Sequence, residues 1–260
     1  MVEDNLSSEL VTKGLSTRFV GQRVIYRSQL TSTMKLAREQ ARQGVAEGTV
    51  IITDKQTAGR GRINRVWLSP KGNLAVSIIL RPELTHLPSL IMLASLAVVH
   101  SINKVTGLNP QIKWPNDVLI NDKKVSGILI ENDVKANKVN HTIIGIGVNI
   151  NLKLTDFPEI QAIATSLSDE LGKKVSRLSV LRSLLAEIER LYLVLTGGGC
   201  IYEEWRDNML TLGKKVRVET GDSILEGVAE SVDRDGSLCL RGVDGGLIKI
   251  VVGDVTRTTQ

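Results

Sequence analysis

The sequence predicts an α+β protein: a mixed α/β domain over residues 1–211 followed by a small all-β module over residues 212–260. Three observations predict it. β-branched and apolar runs that read as strands alternate with helical patterns as far as about residue 211. Leu87 to Val105 is apolar nearly all round, which argues for a helix buried against a sheet. After Leu212 come five short β-rich runs, punctuated by Gly213, Gly221, Asp235–Gly236, Gly245–Gly246 and Gly253, a spacing that suits a small barrel.

Taken in order, Val24 to Tyr26 reads as a short strand. Thr31, Ser32 and Thr33 then supply N-cap candidates for a helix running to about Gly44, with Lys35, Arg38, Glu39 and Arg42 on its solvated face. Thr49 to Thr53 is β-branched and reads as a buried strand. Asp54 to Ser69 is polar, rich in Gly and Arg and without either period: a loop too long to be a mere connector. Leu74 to Leu80 resumes as a strand. Three strands are expected between Lys113 and Asn151, at Val118–Ile120, Val125–Glu131 and His141–Asn151, the first two joined as a hairpin through Asn121–Asp122. Leu181, Leu184, Leu185, Ile188, Leu191, Tyr192 and Leu195 keep the i, i+3, i+4 spacing of an amphipathic helix, which Gly197–Gly198–Gly199 ends. A second short helix is expected over Glu203 to Met209.

At 260 residues the chain can bury one sizeable core and carry a smaller appended domain. The net charge of +5 suits phosphate-bearing small molecules or acidic partners as well as nucleic acid, and 3% aromatics is too few for a base-stacking platform. The first ten residues carry Glu3, Asp4 and Glu9 and no apolar core, so no secretory signal is expected. The apolar stretch Leu90 to Val99, interrupted by Ser95, reads as a buried helix too short to span a bilayer. Cys200 and Cys239 lack metal-ligand spacing and read as free thiols of a reducing cytoplasm. His86, His100 and His141 are scattered and read as structural.

Three segments can carry chemistry. Gln56-Thr57-Ala58-Gly59-Arg60-Gly61-Arg62 lies in the long loop, where glycines let backbone approach a ligand and guanidinium groups offer forked donors to phosphate or carboxylate. It is not a P-loop, because no Gly-x4-Gly-Lys-Ser/Thr string occurs. Lys113-Trp114-Pro115-Asn116-Asp117 gathers a cation, an amide and a carboxylate on a segment that Pro115 keeps out of a helix interior, with Trp114 expected as a packing residue. The hairpin that follows brings Lys124 back beside that segment. Gly145-Ile146-Gly147-Val148-Asn149 places glycines on one face of a strand, leaving a groove floor where a flat ligand can lie.

Together these segments resemble the biotin–protein ligase family. The resemblance rests on Gly59-Arg60-Gly61-Arg62 followed by Arg65 and Trp67, the Lys113–Asp117 string, Lys124 ahead of Ser126-Gly127-Ile128-Leu129, and Gly145-x-Gly147-x-Asn149. It continues through Thr165-Ser166-Leu167, Trp205 and the terminal barrel, from about residue 20 to the end. What it implies is a catalytic α/β domain with an SH3-like C-terminal barrel, and an AMP-forming reaction. Biotin and ATP give biotinyl-5'-AMP, whose biotin passes to a lysine of a biotin carboxyl carrier protein or domain. Biotin would be held by Ser32, Thr33, Gln56, Gly59, Arg60, Gly127 and Lys124. ATP and the adenylate would be held by Arg60, Arg62, Trp67, Asn116, Asp117 and Asn149. Lys124 and Arg60 carry the catalysis, and Mg²⁺ accompanies ATP, with Asn116 and Asp117 lining the nucleotide and metal side, Asn149 the adenine side, and the metal ligands themselves unassigned. Dimers are common in the family, so a homodimer is among its implications, while the thiols and the N-terminal residues carry the expectation of a cytoplasmic protein without membrane contact.

The sequence departs from the family pattern in places. Met34 stands where the helix-start motif usually has Asn, and Ile63–Asn64 replaces an Arg-Gly pair, Asn64 being able to adopt positive φ at more cost than Gly. The family's terminal arginine often lies one residue beyond Arg257, and a one-residue slip on a strand reverses the face, so the family's nucleotide contact is not carried over to Arg257. About twenty residues precede the first strand, too few for the helix-turn-helix that some members carry, and any DNA binding is expected to follow charge alone. Two other classes fit less well. A lipoate-type ligase carries an Arg-rich, triple-glycine, His-Asp signature, whereas Gly197–Gly198–Gly199 here lacks those neighbours. A nucleic-acid binder leaves the loop and the Lys113–Asp117 string unexplained.

Overall fold

The computed structural model of the chain describes residues 5–63, 65–221 and 223–257, with the backbone alone at Arg257. Residues 5–211 build a seven-stranded sheet with helices on both faces. Its strands are β1 (Val24–Leu30), β2 (Val50–Gln56), β3 (Leu74–Leu80), β4 (Gln111–Lys113), β5 (Asp117–Ile120), β6 (Lys123–Lys135) and β7 (Lys138–Val148), in the order β1-β2-β3-β7-β6-β5-β4. β1 and β2 run parallel and every other pair antiparallel. Among the described residues the helices are α1 (Ser8–Thr12), α2 (Thr33–Arg42), α3 (Leu90–Thr106), α4 (Pro158–Gln161), α5 (Leu167–Leu171), α6 (Arg177–Thr196) and α7 (Tyr202–Asp207).

Strand alternation sorts the core into two layers. Val50, Ile52, Val76, Ile78, Ile144 and Ile146 join α3 and α6 on one face, while Ile51, Ile79 and Ile143 meet Met34, Ala37 and Ala41 of α2 on the other. This is why β3 is buried at every position and α3 is apolar all round. With the 3-10 turn Leu84–Ser89, α3 extends to Leu84–Thr106, long and apolar enough to cross a membrane, which corrects the shorter stretch expected from sequence. Its apolarity is accounted for by packing against α6 and the sheet.

Other boundaries also moved. β1 reaches Leu30 because it pairs in register with β2 as far as Gln56, so Asp54 to Gln56 lie on a strand rather than in the loop. β6 and β7 form a longer hairpin than expected, turning through Ala136 and Asn137 at φ 48 and 59. β7 ends at Val148 rather than Asn151. β4 and the short helices between residues 154 and 171 were not expected, being too short to show a period.

The C-terminal module has the five expected strands: β8 (Lys215–Thr220), β9 (Ser223–Val232), β10 (Leu238–Gly242), β11 (Leu247–Ile250) and β12 (Asp254–Arg257). They pair antiparallel in the order β11-β10-β9-β8-β12. The two edge strands are consecutive in sequence, separated only by residues 251–253. Laid flat, five strands would hold those edges about 19 Å apart. Four residue steps reach at most about 14 Å. The sheet therefore curls into a part-open barrel, burying Val216, Val218, Ala229, Leu238 and Leu240.

Trp114 joins the two sheets. It is 1% exposed, its backbone N–H donates to Thr211 Oγ1 (2.9 Å) and its indole Nε1–H donates to Gly236 O (2.8 Å); the Trp114–Pro115 peptide is cis. The packing role expected of Trp114 thus includes a bond between domains. Trp114→Phe keeps most of the packing and strands a carbonyl, so it should destabilise the protein by about 1–3 kcal/mol. Urea denaturation checks this, and an unchanged midpoint would show that the bond adds nothing.

Candidate functional site

Antiparallel register sets Asp117 opposite Gly127, Gly127 opposite Gly147 and Gly147 opposite Ala75. Residues directly opposite share a face. Across β6, β7 and β3 this row therefore carries nothing larger than a methyl group. It forms the floor of a cleft of about 540 Å³ on the α2 side of the sheet, within the range of small-molecule sites. The floor is not bare as the sequence suggested. A Cβ on Gly147 would lie 2.3 Å from the Trp67 indole and one on Gly127 3.1 Å from it. The long loop thus lays an aromatic plate on the glycines, and its Nε1–H is buried without a hydrogen bond.

One end of the cleft is the start of α2. Gln56 Oε1 accepts from Thr33 N–H (2.8 Å) and Thr33 Oγ1 (3.2 Å), and Ser77 Oγ donates to Thr33 Oγ1 (2.8 Å). Gln56 thereby does the capping that Ser32, at the N-cap position, does not. Met34, only 6% exposed, packs its thioether over Gly145, where a Cβ would lie 2.5 Å from Sδ. The position where the family usually carries an amide is thus an apolar contact here.

The loop is cross-braced. Thr57 and Ala58 N–H donate to Leu30 O and Thr31 O, Trp67 N–H to Gly59 O, and Gly61 N–H to Arg65 O. A Cβ at Gly59 would lie 2.3 Å from Trp67 O, so glycine is needed where the two limbs cross. The same Cβ would lie 3.1 Å from Gln56 Nε2, so Gly59 also lets the loop pass close beside the α2 end of the cleft. Ile63 has φ 49. A β-branched residue there costs roughly 1–3 kcal/mol. Asn64, expected to take positive φ, lies outside the described residues.

Arg60 lines the cleft without an ion pair among the described residues. Arg62 Nη1 donates to Asn116 Oδ1 (3.0 Å) and Gly253 O (3.3 Å) and lies 3.9 Å from Asp254, whose other oxygen is 2.7 Å from Arg65 Nη2. Asp254 and Thr256 both line the cleft, so the C-terminal module contributes to it. No sequence signal marked either residue. The side chain of Arg257 lies outside the described residues.

The other end is the hairpin. Asn121 and Asp122 turn at φ 50 and 63, and Lys124 Nζ comes 2.6 Å from Asp117 Oδ1 and 5.5 Å from the Trp67 ring centroid. The structure thus brings Lys124 beside the Lys113–Asp117 segment as expected. Asn116 and Asn149 line the cleft, yet both are also braces. Asn116 Nδ2 donates to Ile128 O (2.7 Å), while Asn149 accepts from Asn73 Nδ2 (3.2 Å) and donates to Thr165 O (3.1 Å). A wall the sequence did not suggest comes from Ile160 to Ala164, tied on by Lys124 N–H to Ile163 O and Thr165 N–H to Lys124 O, both 2.9 Å. Among the described residues no three His, Cys, Asp or Glu side chains gather as a metal site. The cleft suits a ligand with a flat polar ring at one end and anionic charge at the other.

Residues 25–149 match the biotin/lipoate A/B protein ligase family, and residues 211–256 match the biotin protein ligase C-terminal domain. The chain is 41% identical to the bifunctional ligase/repressor BirA of Bacillus subtilis over 96% of its own length and 78% of that protein. It is 31% identical to the biotin–[acetyl-CoA-carboxylase] ligase of Mycobacterium tuberculosis, covering 97% of this chain and 94% of that one. A biotin protein ligase from Aquifex aeolicus solved with biotin and ATP superposes with a TM-score of 0.80 at 29% identity, over 91% of this chain and all of that one.

The link from Asp254 to the loop arginines is half-exposed, which limits it to about 1 kcal/mol or less. Asp254→Asn should therefore speed hydrogen exchange at the amides of residues 57–69 by about two- to fivefold in the ligand-free protein. Equal exchange in the two proteins would show that the barrel does not restrain the loop.

Proposed function

This chain belongs to the biotin protein ligase family, and from that membership and the cleft we infer how its residues share the work. It is an ATP-dependent biotin–protein ligase that makes biotinyl-5'-AMP and passes the biotinyl group to a lysine. We place the acceptor lysine on a biotin carboxyl carrier domain. The observation that carries the residue assignment is the convergence of Arg60 and Arg62 from the loop with Lys124 from the hairpin over one glycine floor.

Biotin's ureido ring is polar on its edge and suits the end built from Ser32, Thr33 and Gln56. Its carboxylate then reaches Lys124. That carboxylate is a weak nucleophile and is repelled by a triphosphate. A lysine and two arginines in one cleft offset the repulsion and stabilise the charge that grows on the α-phosphate as the carboxylate oxygen bonds to phosphorus and pyrophosphate departs with the bonding electrons. Asp117 holds the Lys124 ammonium at the floor, and Asn116 and Asn149 form the nucleotide wall. Trp67 moves off the glycines to admit the ligand and covers it afterwards, keeping water from the mixed anhydride. A carrier lysine then attacks the anhydride carbonyl, AMP leaves with the electron pair, and the amide remains. No protein nucleophile is needed.

Magnesium fits as an ion that arrives on the triphosphate. Asp117 and Asp122 line the cleft as single carboxylates, and among the described residues no dedicated cage surrounds them, as is usual for this cation. It would supply further neutralisation of the phosphates. Two free cysteines agree with a cytoplasmic setting. Beyond Gly127, β6 loses β5 as a neighbour, and the open edge from Leu129 to Lys135 supports pairing with a second copy.

Two outcomes test the reading. Biotin with ATP should slow hydrogen exchange across Asp54 to Val66, and equal protection with and without ligands would contradict a closing loop. Lys124→Ala should slow adenylation by roughly 10²–10³, about 3–4 kcal/mol, as for loss of one preorganised donor. Transfer from supplied biotinyl-AMP should suffer less. Pyrophosphate release and carrier labelling measure the two steps separately; unchanged adenylation in the folded variant removes Lys124 from the mechanism.

A further inference from the structure

A buried guanidinium behind the cleft has no part in the reaction as described. Arg177 is the first residue of α6 and is 1% exposed. A cation in the first helical turn meets the positive end of the helix dipole, and burial adds a desolvation cost. Its partners explain why it is there. Arg177 Nη1 lies 2.8 Å from Asp54 Oδ1 and 3.3 Å from Asn73 O. Those two residues are the roots of the ligand loop: Asp54 stands on β2 two positions before Gln56, and Asn73 immediately precedes β3.

The contacts continue into the cleft wall. Asn73 Nδ2 donates to Asn149 Oδ1 (3.2 Å), and Asn73 Oδ1 accepts from Ile150 N–H (3.2 Å). Tyr26 OH donates to the second Asp54 oxygen (2.6 Å), which raises the phenol's pKa. The approach to α6 is pinned two residues earlier, where Asn151 exchanges two hydrogen bonds with the backbone of Val175 (2.9 and 3.0 Å).

We propose that Arg177 is a positioning residue for the ligase reaction: it ties the two roots of the ligand loop together and, through Asn73, fixes Asn149 on the nucleotide side of the cleft. The functional half of this proposal rests on the reading above. Loss of the guanidinium frees the Asn73 carbonyl and leaves the Asp54 carboxylate without its counter-charge, so the Asn149 wall shifts. Lys124 and Asp117 keep their places, because the ladders of β5, β6 and β7 hold them independently.

The test compares Arg177→Met, Arg177→Lys and Asn73→Ala with the parent protein, well below each melting temperature. Met and Ala should raise KM for ATP about tenfold while KM for biotin and kcat stay within about threefold, the pattern of a lost binding wall rather than a lost transition-state contact. Lysine keeps the charge for Asp54 and should recover part of the ATP affinity. Amides of residues 70–75 should exchange faster in ligand-free Met and Ala variants. A residue needed only for stability would lower the melting temperature without separating the two KM values. If the Met variant does not fold, Asn73→Ala, which leaves the ion pair intact, carries the test. Equal movement of both KM values, or none, with unchanged exchange overturns the proposal. If the parent protein forms no biotinyl-AMP, the ligase reading fails, and the exchange comparison alone decides whether Arg177 braces the loop.

Discussion

A sheet with helices on both faces normally fills each face with side chains, because that is how it buries its core. The site depends on a local exception. Ala75, Gly147 and Gly127 fall opposite one another on three adjacent strands and leave a trough where the apolar layer should continue. Everything else is arranged around that trough. α2 closes one end, the β5–β6 hairpin the other, and the long loop roofs it with Trp67. Strand register is the constraint from which the rest follows. A slip of one residue in β6 or β7 would point isoleucines into the trough and glycines into the α3 layer.

Charge is distributed so that little of it is idle. Lys124 rests on Asp117, and Arg62 and Arg65 rest on Asp254. These pairs reach only partly into solvent, where an anionic ligand can compete with the resident carboxylates. The most deeply buried of these pairs, Arg177 with Asp54, lies behind the sheet's end and serves geometry. The cleft thus has replaceable ion pairs in front and a fixed one at the back. That division suits a site which must grip two anions, release pyrophosphate and keep its walls in place throughout.

Much of this was legible in the chain itself. Loss of period from Asp54 to Ser69 marked the loop, although its first three residues belong to β2, Asn121–Asp122 marked the turn that returns Lys124 to Asp117, and alternating glycines marked the floor. Those signals are local. What stayed hidden depends on partners remote in sequence: Arg177 and Asp54 are 123 positions apart, and Arg62 meets Gly253 across 191. Arg177, Asn73 and Asp254 are ordinary polar residues until the fold places them together. Gly59 carries a second constraint that its motif did not show: the loop's crossing limbs leave no room for a Cβ there. Segments such as β4 and residues 154–164 are too short to print a period at all.

The floor has a consequence for how such a site can diversify. A side chain at Gly147 would run into the indole and one at Gly127 would crowd it, so those strand positions are poor places to reshape the cavity while Trp67 stays. Variation has an easier route through the roof, where Ile63 and Val66 are exposed and substitution disturbs no strand ladder. New acyl groups would therefore be accommodated from above, by redrawing the loop over an unchanged sheet. In a lineage descended from this fold, the record of substrate divergence should be written in residues 57–69 and be nearly silent in the glycines beneath them.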